Sequence, residues 1–382
     1  MERRIEKFLA ERKSEDLFRS LTRVSGHNRG KITVGEKEYI NFSSNDYLGL
    51  ASHPRLRDAA AKALDSGVGS SASRLMTGST SHHHLLEKKT AEFKNKEAAL
   101  VFNSGYQANV GVISALFGKD DCIFSDRFNH ASIVDGARLS GAKLLRFRHN
   151  DVRHLGSLLK DERAKHKKAL IVTETVFSMD GDMAPVDEII KLKEKYDCVF
   201  MADEAHSTGV FGEDGSGVIS GKALSGSVDI IMGTFSKALG GFGAYVASSG
   251  LVADYLVNTC RSFIYSTSLP LPVIAADIAA LDVLREEPYR RRELLSNADY
   301  LRGKLKDRGF DVRGESQIIP AIIGDTEKTI DISEFLKSKG YWVTPVRPPT
   351  VPRNGSRLRI SISYDHDRSI LDEFIEDIAA YG

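Results

Sequence analysis

Apolar and polar positions fall into blocks along the chain, and the clearest blocks lie between residues 98 and 250. Ala98-Ala99-Leu100-Val101, Cys122-Ile123-Phe124-Ser125, Ala169-Leu170-Ile171-Val172, Cys198-Val199-Phe200-Met201-Ala202 and Val228-Asp229-Ile230-Ile231-Met232-Gly233 are short apolar runs that close on polar or glycine-rich residues. Runs of this length bounded by such loops predict parallel strands buried on both faces. Helical patterns separate them as far as Gly250, and each parallel crossover needs a covering helix. The pattern therefore predicts an α/β fold with a mainly parallel central sheet and helices on both faces.

The flanking segments follow other periods. Residues 1 to about 25 predict an amphipathic helix, with Ile5, Phe8 and Leu9 on one stripe and Leu17, Phe18 and Leu21 continuing it, packed on the body or on a partner subunit. Residues 32–48 alternate loosely and predict a hairpin, followed by a helix carrying Leu56, Ala59, Ala60, Ala63 and Leu64. Between 270 and 305 the chain turns helical and charged. Beyond it, Ile318–Ile323, Tyr341–Val343 and Leu358–Ile362 read as strands beside helices over 331–339 and 368–380. The expected division is an N-terminal helix and hairpin segment (1–45), a large domain (46–280) and a smaller α+β C-terminal domain (281–382).

Ligands in open α/β sheets bind beyond the carboxyl ends of the strands. Three of the predicted ends carry chemistry: Asp203-Glu204-Ala205-His206, Thr234-Phe235-Ser236-Lys237 with Gly240-Gly241-Phe242-Gly243 behind it, and Thr173-Glu174 with Ser178 shortly after. A lysine preceded by hydroxyls and followed by glycines suits pyridoxal 5'-phosphate, whose aldehyde the amine binds while hydroxyls and amides hold the phosphate. Asp203 would face the pyridine nitrogen. Alone, either residue also fits a surface lysine or a helix-capping aspartate; at the ends of two successive buried strands they point to the cofactor. The turn Phe102-Asn103-Ser104-Gly105-Tyr106 offers amides at a helix start, either a phosphate site or an ordinary strand-to-helix turn. His130 could stack on an aromatic cofactor or be a structural histidine. On the strand Arg357–Ser363, Arg357, Arg359 and Ser361 share one face, which fits a carboxylate clamp or a solvated face.

Composition narrows the classes. A chain of 382 residues with 41% hydrophobic and 27% charged residues can bury a large core. Its net charge of +1 leaves no footprint for nucleic acid or an anionic membrane, so small molecules or further copies are the expected partners. Three cysteines without metal or redox spacing, a charged start at Met1–Lys7 and no membrane-length apolar run lead to a cytoplasmic expectation. Gly67-Val68-Gly69-Ser70-Ser71-Ala72 is similar to a dinucleotide fingerprint but follows a helix where a strand is required. Gly215–Ala223 is similar to a phosphate-binding loop but fails at both ends, Ser216 and Ala223. His82, His83 and His84 sit about 100° apart on a helix and cannot converge on a metal, so a solvated helix start after Ser81 is expected.

Taken in order, Asn41-Phe42-Ser43-Ser44-Asn45-Asp46-Tyr47-Leu48-Gly49, Asn103-Ser104-Gly105-Tyr106-Gln107-Ala108-Asn109, His130-Ala131-Ser132, Val176-Phe177-Ser178-Met179-Asp180-Gly181-Asp182, Asp203-Glu204-Ala205-His206 and Thr234-Phe235-Ser236-Lys237 resemble the α-oxoamine synthases over nearly the whole chain. That family consists of homodimeric fold-type I pyridoxal-phosphate enzymes that join an amino acid to an acyl thioester with loss of carbon dioxide. Val346-Arg347-Pro348-Pro349-Thr350-Val351-Pro352 resembles the branch that joins L-alanine to a pimeloyl thioester, on coenzyme A or acyl carrier protein, in biotin synthesis. Sibling branches use glycine or serine with other acyl-coenzyme A donors. The resemblance implies that Lys237 binds the cofactor covalently, Asp203 pairs with its ring nitrogen and His130 stacks on the ring. It implies that Ser178 and His206 contact the cofactor, that Gly105, Tyr106, Thr234 and Ser236 surround the phosphate, and that Ser266 or Thr267 joins from a second subunit. Arg19, Asn45, Thr350, Arg359 and His130 are then the substrate contacts. One departure stands out: Ser70-Ser71-Ala72-Ser73 replaces the family's common Ser-Gly-Gly-Ser.

Overall fold

Period-two alternation within the apolar runs settles which side chains face which layer. In the computed structural model, which describes residues 1–15 and 17–381, the runs form one seven-stranded sheet. Its spatial order is Ala98–Phe102, Ala244–Ser248, Ile230–Thr234, Val199–Asp203, Ala169–Glu174, Cys122–Asp126 and Lys143–Phe147. Ala244–Ser248 alone runs against its neighbours. The mainly parallel sheet expected from the sequence is thus present, with one antiparallel strand that the apolar pattern did not distinguish. Leu170, Val172, Met201, Ile230 and Met232 face one layer, where Val112, Ile133 and Leu256 of helices Gly105–Leu116, Ala131–Ser140 and Gly250–Thr259 pack. Ala169, Ile171, Phe200, Ala202 and Ile231 face the other, against Leu155 and Ile189 of helices Val152–Glu162 and Val186–Lys195.

This sheet belongs to one of two compact units, Leu48–Ser178 with Met183–Arg292. The other comprises Met1–Tyr47, Met179–Asp182 and Glu293–Gly382. It holds two four-stranded sheets: Val24–Asn28, Lys31–Val34, Lys37–Asn41 and Tyr341–Trp342 in one, Asp311–Val312, Ile318–Gly324, Ser356–Ser361 and Pro345–Val346 in the other. Among the described residues no helix is long and apolar enough to cross a membrane.

Several local expectations are corrected. The N-terminal helix spans only Glu2–Ser14 and buries none of its residues. It is closed by the Leu17 N–H bonding back to the Arg12 carbonyl at 2.8 Å, after which the backbone is committed to the Val24–Asn28 strand and its hairpin partner. Leu17, Phe18 and Leu21 therefore supply apolar content without helical spacing. The helix Ser81–Phe93 does begin where expected, but its start is not fully solvated. His83 turns inward, 1% exposed, and closes a capping box with Thr80 at 2.8 Å; burial pushes its pKa down to about 4. The polar face of Ser356–Ser361 is likewise not a solvent face, since Arg357 and Arg359 are both buried. At the Ser-Ser-Ala-Ser departure, Ser71 takes φ +59°, a left-handed conformation that glycine adopts without the Cβ clash.

One ion pair lies wholly inside the sheet unit. Lys94 Nζ stands 2.8 Å from Glu204 Oε2, both side chains being 0% exposed, and also donates to Thr208 Oγ1 at 3.1 Å. Burial pushes the Lys94 pKa down, but the Glu204 carboxylate and Tyr245 more than offset this and leave it above the ordinary lysine value. Glu204 accepts further bonds from the Ile219 N–H at 2.9 Å and Ser207 Oγ at 3.1 Å. It thereby ties the turn after the Val199–Asp203 strand to two other segments. Removing one partner leaves an uncompensated buried charge. Lys94→Met is expected to cost roughly 3 to 5 kcal/mol of unfolding free energy in urea titration; a loss below about 0.5 kcal/mol, the scale of an ordinary surface change, would contradict the assignment.

Candidate active site

The strand ends place their chemistry side by side. Glu174 and Asp203 are register partners on adjacent parallel strands, so both carboxyls leave the same edge of the sheet. Asp203 is buried, and its two oxygens are held separately: Oδ2 accepts from Asn109 Nδ2 at 2.9 Å and Oδ1 from the Ala205 N–H at 2.9 Å. A buried carboxylate needs such donors to replace its hydration. His206, on the same turn, lies with Nε2 3.0 Å from Lys237 Nζ. Lys237 is half-buried, carried by the tight loop that follows the Ile230–Thr234 strand. That loop closes by Gly240 N–H bonding to the Lys237 carbonyl at 2.9 Å. Gly240 takes φ +67°, and a Cβ there would stand 2.2 Å from the Ala51 backbone nitrogen, so only glycine fits.

The helix Gly105–Leu116 starts beside this loop. Ser104 caps it by accepting from the Gln107 N–H at 3.2 Å, which leaves the first amides, those of Gly105 and Tyr106, as donors for an anion. A Cβ on Gly105 would come within 3.0 Å of Thr234 Cγ2, so the helix start and the end of the Ile230–Thr234 strand are in close approach. Thr234 Oγ1 is buried with no hydrogen-bond partner among the described residues. This orphaned hydroxyl beside free helix amides fits a phosphate oxygen. The amine of Lys237 and the carboxylate of Asp203 fit an aldehyde and a ring nitrogen. The residues present therefore suit pyridoxal phosphate. Ser236 is exposed and Ser178 half-buried in the same unit. Tyr106 is exposed too; its hydroxyl donates to Asp135, and its ring meets that of His130 edge-on at 6.4 Å.

His130 caps the helix Ala131–Ser140 and is fixed at both ends. Its backbone N–H donates to Glu174 Oε1 at 2.6 Å, and Nδ1 lies 2.8 Å from Ser132 Oγ. Desolvation lowers the His130 pKa below the ordinary imidazole value; Asp203 opposes this and Lys237 reinforces it. Ser266 and Thr267 stand within the same chain close to the helix start: Ser266 Oγ accepts from Gln107 Nε2, and the Thr267 carbonyl accepts from Asn103 Nδ2 at 2.8 Å.

Of the expected substrate contacts, His130 belongs to the sheet unit; the other four belong to the other unit and form two pairs. Arg19 Nη2 donates to Thr350 Oγ1 at 2.9 Å, both residues being exposed. Arg359 Nη2 donates to Asn45 Oδ1 at 3.2 Å, and Nη1 to Ser361 Oγ at 2.7 Å. Arg357, its neighbour on that face, is instead occupied by Asp180.

Four residues gained no role from the sequence. Asn109 and Ser132 were visible only as letters in longer motifs, and Asp135 not at all. Glu174 gained none beyond closing a strand, although an acid closing an apolar run beside another strand that ends on an acid is a usable signal. Burial pushes its pKa up from 4.5 to about 8, with the Asp203 charge adding to the effect.

A family model described as aminotransferase class I and II matches residues 37–378, and the chain belongs to that family. Within it, the chain is 46% identical over 386 residues to 8-amino-7-oxononanoate synthase of Geobacter sulfurreducens, covering 100% of this chain and 98% of that one. It is 47% identical over 370 residues to the enzyme of the same name from Geotalea daltonii, covering 96% and 94%. Among solved structures it is similar to Sphingomonas wittichii serine palmitoyltransferase, with TM-score 0.94, 31% identity and coverage of 99% and 97%. It is also similar to 8-amino-7-oxononanoate synthase of Francisella tularensis, with TM-score 0.78, 30% identity and coverage of 90% and 97%.

The Glu174 environment has a signed consequence. A carboxyl whose pKa is raised by folding binds more protons folded than unfolded, so its contribution to stability is present below 4.5 and is lost as pH rises to about 8. Glu174→Gln keeps an oxygen for the His130 N–H and removes the titration. In cofactor-free protein, the stability of the wild type relative to this variant should fall by up to about 1.4 kcal/mol per pH unit across that window, measured by urea unfolding at stepped pH. A difference that stays constant with pH would contradict the assignment.

Proposed function

We propose that this protein is an 8-amino-7-oxononanoate synthase. It condenses L-alanine with a pimeloyl thioester, on coenzyme A or acyl carrier protein, and releases 8-amino-7-oxononanoate, carbon dioxide and the free thiol on the route to biotin. The observation that carries the reading is the meeting of Lys237, His206 and Asp203 at adjacent strand ends in a chain 46% identical, end to end, to a synthase of that name. The fold alone does not select the substrate, since a serine palmitoyltransferase shares it with TM-score 0.94. The higher full-length identity and the Arg347-Pro348-Pro349-Thr350 segment favour the alanine and pimeloyl pair.

Pyridoxal 5'-phosphate, when bound, supplies an electron sink for charge developing on the amino acid's α-carbon. Asp203, pinned by Asn109 and the Ala205 amide, would hold a proton on the ring nitrogen. Lys237 would hold the aldehyde through its amine and, as a free amine, would take the α-proton of the amino acid. The Gly105 and Tyr106 amides with Thr234 and Ser236 would hold the phosphate, and Ser178, His206 and His130 would contact the ring. Arg359 offers its guanidinium to a substrate carboxylate; Asn45 orients it, and Arg19 and Thr350 complete the substrate contacts. The new carbon–carbon bond joins the α-carbon to the acyl carbonyl as the thiol leaves; carbon dioxide then departs from the amino acid carboxyl, and the α-carbon takes up a proton in its place.

The working form we propose is a homodimer. Val68, Met76 and Tyr265, each more than 70% exposed, offer apolar surface of the kind a second copy covers. A cytoplasmic setting accords with three buried, unpaired cysteines.

The purified protein with the cofactor should release thiol from a pimeloyl thioester in the presence of L-alanine, with the amino keto acid detected by mass. Glycine with acetyl-coenzyme A and serine with palmitoyl-coenzyme A should give little. Lys237→Ala should lower the alanine-dependent rate by at least ~10² to 10⁴. Faster turnover of either competing pair would replace the substrate assignment, and full activity in the lysine variant would end the role of Lys237.

A further inference from the structure

Which ring nitrogen of His130 carries the proton is decided by four contacts that run from Asp203 to the imidazole. Asn109 Nδ2 lies 2.9 Å from Asp203 Oδ2 and 3.0 Å from Ser132 Oγ. Ser132 Oγ lies 2.8 Å from His130 Nδ1, and the Ser132 backbone nitrogen 3.3 Å from the same atom. Asn109 is 1% and Ser132 0% exposed, so water does not replace the Asn109–Asp203 and Asn109–Ser132 bonds. The direction of each bond follows from the inventory of donors. An amide oxygen turned toward Asp203 would meet a carboxylate oxygen, so the amino group faces it. An amino group only donates, which makes Ser132 Oγ the acceptor of the second bond and leaves the hydroxyl proton for His130 Nδ1. The Ser132 backbone N–H also only donates. Nδ1 faces two donors and has no room for a proton of its own.

We propose that Asn109 and Ser132 are positioning residues that lock His130 into its Nε2–H tautomer, relaying the polarity of Asp203 through three hydrogen bonds. The inference rests on the placing of His130 and Asp203 in the cofactor site given above. It makes His130 a neutral N–H donor, through Nε2, to an acceptor oxygen or anion in the site. Protonating Nδ1 would break both bonds made to it, so the ring resists becoming a cation. The same relay couples the two cofactor contacts: the carboxylate that orients Asn109 also orients the imidazole. The charged groups acting on His130 are Asp203, Lys237 and Asp135, with Tyr106 edge-on to the ring. None of them reaches Nδ1, which leaves the tautomer to Ser132.

The test is nitrogen NMR of the full-length protein labelled at histidine, loaded with pyridoxal phosphate and again without it. His130 should show a pyridine-type Nδ1 and a pyrrole-type Nε2. Ser132→Ala should admit the Nδ1–H form and raise the His130 titration midpoint by roughly half to one pH unit, the size of one neutral hydrogen bond. Ser132→Thr, which keeps the hydroxyl, should restore both signals. A wild-type spectrum with the proton on Nδ1, or a Ser132→Ala spectrum and midpoint identical to wild type, would overturn the proposal. Should the alanine variant not fold, the wild-type spectrum decides alone. The predicted tautomer in a protein that fails to turn over L-alanine and a pimeloyl thioester upholds the relay and removes the functional reading; turnover with Nδ1 protonated does the reverse.

Discussion

The site is organised by a carboxylate that has been taken out of water. Asp203 ends a central strand of a parallel sheet, where burial costs an unpaired charge several kcal/mol. Its position is bearable because Asn109, from a helix, and the Ala205 amide, from its own turn, each satisfy one oxygen. The neighbouring acid cannot share that arrangement. Glu174, its register partner on the adjacent strand, accepts one hydrogen bond, from the His130 backbone N–H, where Asp203 accepts two, and burial beside a like charge keeps its proton on. One acid stays available to a cationic partner and the other becomes a neutral support for the backbone of His130.

Around that centre the sheet acts as a jig. Lys237 arrives from the next strand, His206 from the turn after Asp203, and Gly105 with Thr234 from a close approach between a helix start and a strand end. The Lys94–Glu204 pair stiffens the turn between Asp203 and His206 from below. Apart from the Asp203–His206 turn and the Thr234–Lys237 loop, no member of this set is close to another in sequence, so the geometry exists only because the strands are in register.

Much of this was legible beforehand, for reasons that can be stated. Consecutive apolar residues bounded by polar loops have few ways to be buried other than as interior strands, and chemistry at strand ends follows from where backbone crossovers leave space. Lys237 and Asp203 were readable because two such ends carried complementary groups. The antiparallel sense of Ala244–Ser248 was not readable, since a buried strand is apolar in either direction. Nor was the early end of the first helix, because Leu17 and Phe18 add hydrophobicity without spacing that distinguishes helix from loop. Asn109 and Ser132 were hidden for a further reason. A side chain that acts by relaying a hydrogen bond leaves no compositional trace, and its role appears only when three segments are brought within bonding distance.

Which lysine meets the cofactor decides the chemistry of the site. Incubating the protein with pyridoxal phosphate, reducing with borohydride and mapping the peptides by mass spectrometry fixes that contact in a single experiment. The predicted result is one pyridoxyl group per chain, on Lys237. Incorporation at another lysine such as Lys94 or Lys96, or no specific incorporation at all, would contradict it.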